Sequence, residues 1–442
     1  MRDMLSVPYF DCAGKIGMSW EWNGDGVGRR VCYNAPEFES LSTGIIALKF
    51  ERGARRVMAL TVGIIGLPQS GKTSLFNALT KAGAPVSGYP TSTVQANLAV
   101  VNVPDSRVER LTEMFHPLKK TFATVEFVDV AGMANVAPEE KREGLSPEYL
   151  GHIRNADALA VVVRCFTNPS VPHASGAVDA GRDVDDLLLT LSLTDLGAVE
   201  RRMERTAKAA KSGDKKYVTE LELLKRVQSE LEDGKVASDL EFTQAERVTI
   251  DDLFLLTMKP RLYVANVSET ELGKAGTLLA QKDVDPVTQE GELRSVAQVA
   301  ARAAREGTQA VAVSAKLESE LNELSAEDVA EYLGALDLPE LGGDRVVQAG
   351  YRLLSLITFL TAGEDEVRAW TVKAGSKAPT AAGKIHSDIE RGFIRAEVIR
   401  FEDLMTAGSF AAAREKGSLR LEGREYIVQD GDIAHFRFNV SK

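Results

Sequence analysis

Six stretches of the chain are near-continuous apolar runs rich in β-branched residues: "LTVGIIG", "NLAVVNV", "TVEFVDV", "ALAVVVRCF", "RLYVANV" and "AVAVSA". Polar, helix-forming sequence separates them. Such runs predict strands buried on both faces, so the pattern reads as a mostly parallel sheet covered by helices. Between the fourth and fifth runs, residues 186–235, within an insertion of about 186–250, are rich in Leu, Glu, Lys and Ala and broken near "KSGDKK". That predicts an inserted helical hairpin. Residues 325–356 also read as helical. Beyond them the period shortens to two, in "EVRAWTV", "FIRAEVI", "REYIV" and "IAHFRFNV", with turn chemistry at "DGD". A small β-rich C-terminal domain is expected over 355–440, behind an α/β domain over 58–350.

The first 57 residues fit neither pattern. "WEWNGDGVGRR" is Gly-rich without a period, and "FERGARRV" is basic. The buried-strand pattern starts with "MALTVGIIG", so residues 1–57 are expected to be an extension, either disordered or a misassigned start, with the folded chain beginning at Met58. "ERGAR" is what purine-rich codons encode, as a translated ribosome-binding site would.

Composition narrows the class. The formal net charge of −11 argues against a chain-wide nucleic-acid or membrane binder, although a local basic patch remains compatible with it. Cys12, Cys32 and Cys165 form no CxxC pair, so neither a disulfide framework nor a zinc site is expected. No apolar run reaches the length of a membrane span, and no secretory signal is recognisable at the N-terminus. A cytoplasmic protein with no membrane or DNA partner is the expectation.

The chemistry concentrates after the first run. Gly66, Leu67, Pro68, Gln69, Ser70, Gly71, Lys72 and Thr73 fit G-x-x-x-x-G-K-[ST], between a predicted strand and a predicted helix that continues with Ser74. The glycines permit a tight turn whose amides face phosphate. Lys72 supplies a cation to the β- and γ-oxygens, and the Thr73 hydroxyl suits Mg2+. In "EFVDVAGM", Asp129 stands at the carboxyl end of a strand, where it can hold Mg2+, and the Gly132 amide can meet the γ-phosphate. Thr93, between the two motifs, can close over the metal as a switch. For the base, "YVANVSE" places Asn266, Val267 and Glu269 where GTPases carry N-K-x-D, and Ser314-Ala315 fits a second base loop. Val267 replaces the lysine that packs on the base. Glu269 is one methylene longer than the aspartate that reads guanine with two hydrogen bonds. Guanine therefore loses part of its two-bond advantage, which can erase or invert a preference for it.

These motifs, together with "YPTSTVQAN", "AGYRLLSLITFLTAGEDEVRAWTVKAG" and "GKIHSDIERGFIRAEVI", resemble the YchF (Obg-like ATPase) family of P-loop NTPases, from Met58 to Val440. The resemblance implies a Ras-like G domain with an inserted helical hairpin and a C-terminal TGS domain of β-grasp type. It also implies ATP preference, slow hydrolysis and association with ribosomes and ribosomal RNA. Lys208, Lys211, Lys215, Arg391 and Arg395 are candidate RNA contacts. Met133 stands where Ras-like enzymes keep a water-orienting Gln, and His173 matches the family's loop His as the replacement. Two departures stand out. Gln69 occupies the position of the Asn in the family's GLPNVGKS loop, which puts potassium dependence in question. "NVAPEEKREGLS" replaces the family's Gly-rich second switch. A GTPase of Obg type and a nucleotide-gated binding protein with incidental hydrolysis are the alternative readings.

Overall fold

A computed structural model describes residues 17–22, 28–33, 60–80, 96–130, 147–173, 175–281, 284–336 and 338–439. Strands β1 (Gly17–Trp22) and β2 (Gly28–Tyr33) pair antiparallel within a compact unit of their own, Met1–Val57. Residues Met58–Lys442 form a second compact unit.

The second unit is organised by two sheets. Its strands are β3 (Thr61–Ile65), β4 (Ala96–Asn102), β5 (Lys119–Thr121), β6 (Thr124–Val130), β7 (Ala158–Arg164), β8 (Arg261–Asn266) and β9 (Ala310–Val313), followed by β10 (Leu356–Ala362), β11 (Glu366–Lys373), β12 (Phe393–Arg400), β13 (Arg420–Glu422) and β14 (Asp432–Phe438). The first sheet runs β4-β6-β3-β7-β8-β9, parallel except for β4. Every residue of β7 and β8 is buried, as expected of central strands in a parallel sheet covered on both faces. Parallel strands deliver all their carboxyl ends to one rim. That rim carries the loops after β3, β6, β7, β8 and β9, where the candidate site lies.

"NLAVVNV" departs from the expectation of a run buried on both faces. It forms the antiparallel edge strand β4, and Leu98 and Val100 on its outer face are exposed. An edge strand with one solvated face needs only alternate residues inside, which a uniform apolar run conceals.

After β7, the helix Ala180–Ala210 starts at an N-cap where Asp179 accepts from the Arg182 amide. It turns at Gly213 (φ 78°) and returns as the helix Lys215–Glu232. Leu223, Leu224, Val227 and Leu231 meet Val199 in an apolar cluster that Ile250 and Leu255 complete. Glu220 is buried between the helices and fixes their register by accepting from Arg202 Nε (2.6 Å) and Thr206 Oγ1 (3.1 Å). Asp195, fully buried on the long helix, accepts from the amides of Leu256 and Thr257 and from Thr257 Oγ1.

The second sheet runs β13-β12-β14-β10-β11-β5, with β10 and β14 parallel at its centre and the helix Ala378–Ile385 packed on one face. Omitting β5, this is the strand order of a β-grasp. "REYIV" was expected to be a strand. Only Ile427 makes an isolated bridge, to Lys377, and the strand that pairs β12 on the side away from β14 is β13, three residues long and just upstream of "REYIV". One apolar core runs from Val62, Ile64 and Phe127 of the first sheet through Val346 to Leu360, Val367 and Ile433 of the second.

Candidate nucleotide site

The phosphate loop leaves β3 at Ile65 and enters the helix Lys72–Thr80. A Cβ at Gly66 would strike the Val162 carbonyl of neighbouring β7. One at Gly71 (φ 97°) would strike the Asn266 amide. Both glycines are therefore required by close approach of other backbone and side chains, and Gln69 itself is left-handed (φ 60°), a conformation that costs a non-glycine residue roughly 1 kcal/mol. Lys72 Nζ folds back over the loop to donate to the carbonyls of Gly66 (3.0 Å) and Leu67 (2.9 Å). Burial lowers its pKa to about 8, against the opposing pull of Asp129.

Thr73 Oγ1 donates to Asp129 Oδ2 at 3.0 Å. Asp129 is fully buried, and its Oδ1 has no hydrogen-bond partner. Burial raises its pKa, partly offset by Thr73 and Lys72. A buried, unsatisfied carboxylate oxygen beside a hydroxyl suits a hard divalent cation. Among the described residues no three His, Cys, Asp or Glu side chains converge on such an ion, so phosphate and water oxygens would complete its shell. Ser74 follows on the first helical turn, half-buried. Thr93 and Gly132 lie outside the described residues.

Asn266, at the end of β8, is buried and uses both ends of its amide. Nδ2 donates to the Ser70 carbonyl (2.9 Å), and Oδ1 accepts from the Ala315 amide (3.1 Å). It therefore ties the phosphate loop to the second base loop. Val267 is 2 % exposed and belongs to the apolar core rather than to an open base face. Ser268 bonds through its amide (3.0 Å) and hydroxyl (2.7 Å) to Glu292 Oε2, whose Oε1 accepts from the Thr167 amide. Glu269 is exposed, and its Oε1 accepts a hydrogen bond from the Tyr332 hydroxyl. Ser314 is buried at the turn into the helix Ala315–Leu321.

His173 lies behind the phosphate loop, lining a small cavity with Leu67, Pro68, Ser70 and Asp183. Its Nδ1 accepts from the Ser175 amide (3.2 Å), so its Nε2 carries the proton donated to Asp183 Oδ2 (2.9 Å). Arg182 holds the other oxygen of Asp183. In this arrangement neither ring nitrogen is open to a water molecule. Arg164, buried at the end of β7, donates to the carbonyls of Phe166, Val171 and Pro172 and so shapes the loop that carries His173.

Sequence reading did not find Glu292, Tyr332, Asp183 or Arg164. Glu292 and Tyr332 stand on helices far along the chain from the loop they hold, and no motif marks them.

A phosphate loop between strand and helix, facing a buried aspartate at the next strand's carboxyl end, defines a P-loop nucleoside triphosphatase of the G-domain fold. Comparison with known proteins gives the particular group. A family model described as "50S ribosome-binding GTPase" matches residues 61–195, and one for the YchF GTPase C-terminal region, described as a protein of unknown function, matches 356–439. The "Ribosome-binding ATPase YchF" of Bacillus subtilis is 47% identical over 383 residues, covering 87% of this chain and 100% of the relative. Its namesake in Escherichia coli O157:H7 is 42% identical over the same shares. The solved Schizosaccharomyces pombe YchF GTPase superposes with a TM-score of 0.70 at 30% identity, over 86% of this chain and 98% of that one. The chain belongs to the YchF family.

Proposed function

We propose that this chain is an Mg2+-dependent ATPase that hydrolyses slowly and works as a nucleotide switch at the ribosome, in the cytoplasm. The observation that carries the base preference is the contrast within one site. The phosphate loop keeps every group needed to hold a triphosphate, while the base loop has buried Val267 in the core and offers only a tethered Glu269 to the base. A loop without the stacking lysine and with one carboxylate oxygen engaged is poorly suited to guanine's paired donors.

In this reading the backbone N–H groups of the loop, Pro68 excepted because it has none, cradle the phosphates, and Lys72 exchanges its two carbonyl partners for phosphate oxygens. Thr73 and Asp129 hold the metal. When bound, Mg2+ neutralises phosphate charge as the terminal bond breaks. Thr93 and Gly132 close on the γ-phosphate. His173 orients water only after leaving Asp183, so hydrolysis waits on a rearrangement, which agrees with slow turnover. Residues 58–350, with the hairpin at about 186–250, act as the nucleotide domain, and 355–440 as the TGS domain. Ribosome association is supported by the names of the relatives. Lys208, Lys211, Lys215, Arg391 and Arg395 are all exposed and available to ribosomal RNA.

Competition titrations of the full chain with fluorescent ATP and GTP, Mg2+ present, test the base preference. ATP is expected to bind more tightly. GTP binding tighter by tenfold, about 1.4 kcal/mol, would overturn the ATPase reading in favour of an Obg-type GTPase. That second reading has one observation in its favour, the carboxylate retained at Glu269.

A further inference from the structure

We infer that Tyr332 is a specificity-determining residue, which positions the Glu269 carboxylate so that the site prefers adenine to guanine. The inference rests on Glu269 facing the base, as proposed above, and deepens that reading.

Tyr332 sits on the helix Ala326–Ala335, 63 residues beyond Glu269, and its ring leans on the apolar core beside the base loops. Its hydroxyl donates to Glu269 Oε1. The other end of this loop is held as well, because Ser268 is bonded twice to Glu292. Glu269 therefore hangs from a fixed backbone, with one oxygen engaged and one left.

The chemistry of the two bases separates at this point. On its Watson–Crick edge guanine presents two adjacent donors, the N1 and N2 hydrogens, and its recognition needs both carboxylate oxygens at once. Adenine presents a single donor group, the N6 amine, beside the N1 lone pair, which a free carboxylate repels. Drawing one oxygen onto the Tyr332 hydroxyl removes half of guanine's bidentate contact. It also pulls negative charge off the edge where adenine carries its lone pair. The longer Glu side chain makes this reach available. The same position filled by Asp would fall short of the tyrosine. Tyr332 acts through Glu269 and is a positioning residue.

The test is Tyr332→Phe in the full chain, which keeps the ring on the core and removes only the hydroxyl. ATP and GTP affinities are measured by competition with Mg2+ present, alongside Glu269→Ala and the double variant. Tyr332→Phe is expected to shift the ratio of the two affinities toward GTP by about tenfold, the size of a bidentate base contact. In the Glu269→Ala background the same change is expected to have no effect. If Glu269→Ala alters the ratio but Tyr332→Phe leaves it unchanged, the tyrosine has no part in selection and the inference fails while the base-site reading stands. If neither variant alters the ratio, Glu269 does not face the base, and both fail. A shift from Tyr332→Phe that persists in the Glu269→Ala background overturns the proposed route through Glu269.

Discussion

At the phosphate end of the site, Asp129 is fully buried and Lys72 half-buried, Thr73 and Asn266 are bonded to partners from other strands and loops, and two glycines are squeezed against neighbouring groups. At the base end, Glu269 and Tyr332 meet at the surface through one hydrogen bond. The first is built into the fold, which carries its costs. Burial penalises the Lys72 ammonium, whose partners are only two carbonyls, and leaves one Asp129 oxygen without a partner, so phosphate and metal supply what each lacks. The second is adjustable, because exposed pairs contribute little to stability and a single side chain can retune them. On the proposed reading, binding strength is concentrated at one end and choice of base at the other.

The largest effect that would test this division is Lys72→Ala. Nucleotide affinity should fall by roughly a hundredfold or more, the scale of removing one partner of a buried charge pair. The thermal midpoint of the empty protein should not drop, because the ammonium is itself a burden in the unliganded fold. Fluorescence titration and a thermal melt read the two quantities, and a large loss of stability without loss of affinity would reverse the division. Next is Asn266→Ala, which strands the Ser70 carbonyl and the Ala315 amide. Unfolding in urea should show about 2–3 kcal/mol lost, with ATP and GTP weakened together. A selective effect on one base would place Asn266 at the base end instead.

The third test is pH. Burial depresses the Lys72 pKa to about 8, from 10.5, and bound phosphates raise it. Between those two values binding takes up a proton. Affinity should therefore stay level below pH 8 and decline above it, approaching tenfold per pH unit. The free protein runs the opposite way. The folded state binds fewer protons than the unfolded one between pH 8 and 10.5, so this lysine's penalty is complete below pH 8 and fades as pH rises. The Lys72→Ala variant should lack both trends. The smallest effect belongs to Glu292→Gln, which turns an amide donor toward the Thr167 or Ser268 N–H. It should cost about 1 kcal/mol in urea unfolding and shift the ATP-to-GTP ratio more than it changes overall affinity.

How much of this could be read from the chain follows from the same contrast. The phosphate loop is one contiguous stretch whose backbone does most of the binding, so its spacing is its signature. Asp129 is legible as the polar residue near the end of an apolar run. The base end is built from Glu292 and Tyr332, whose neighbourhood exists only after the helices pack. His173 could be singled out as a loop histidine, but not the Asp183 contact that occupies it. In the fold, β7 and β8 declare themselves by unbroken burial. Leu98 and Val100 mislead because an apolar composition does not say which strand is the edge. "REYIV" misleads because alternation describes a surface as well as a strand, and β13 is too short to leave a pattern.

The strand β5 comes from the nucleotide-domain sequence, yet it pairs with β11, matching Lys119 with Glu366 and Thr121 with Arg368. Arg107 of the same region reaches Asp430 beside the far sheet's turn. A severed C-terminal piece begun at residue 356 would bare the Glu366–Arg368 stretch of β11 that β5 covers, an unprotected edge ready to recruit other chains. Such a fragment is expected to clump when expressed alone and to stay dispersed when residues 105–121 are supplied with it, so the seam between the two sheets is no place to cut.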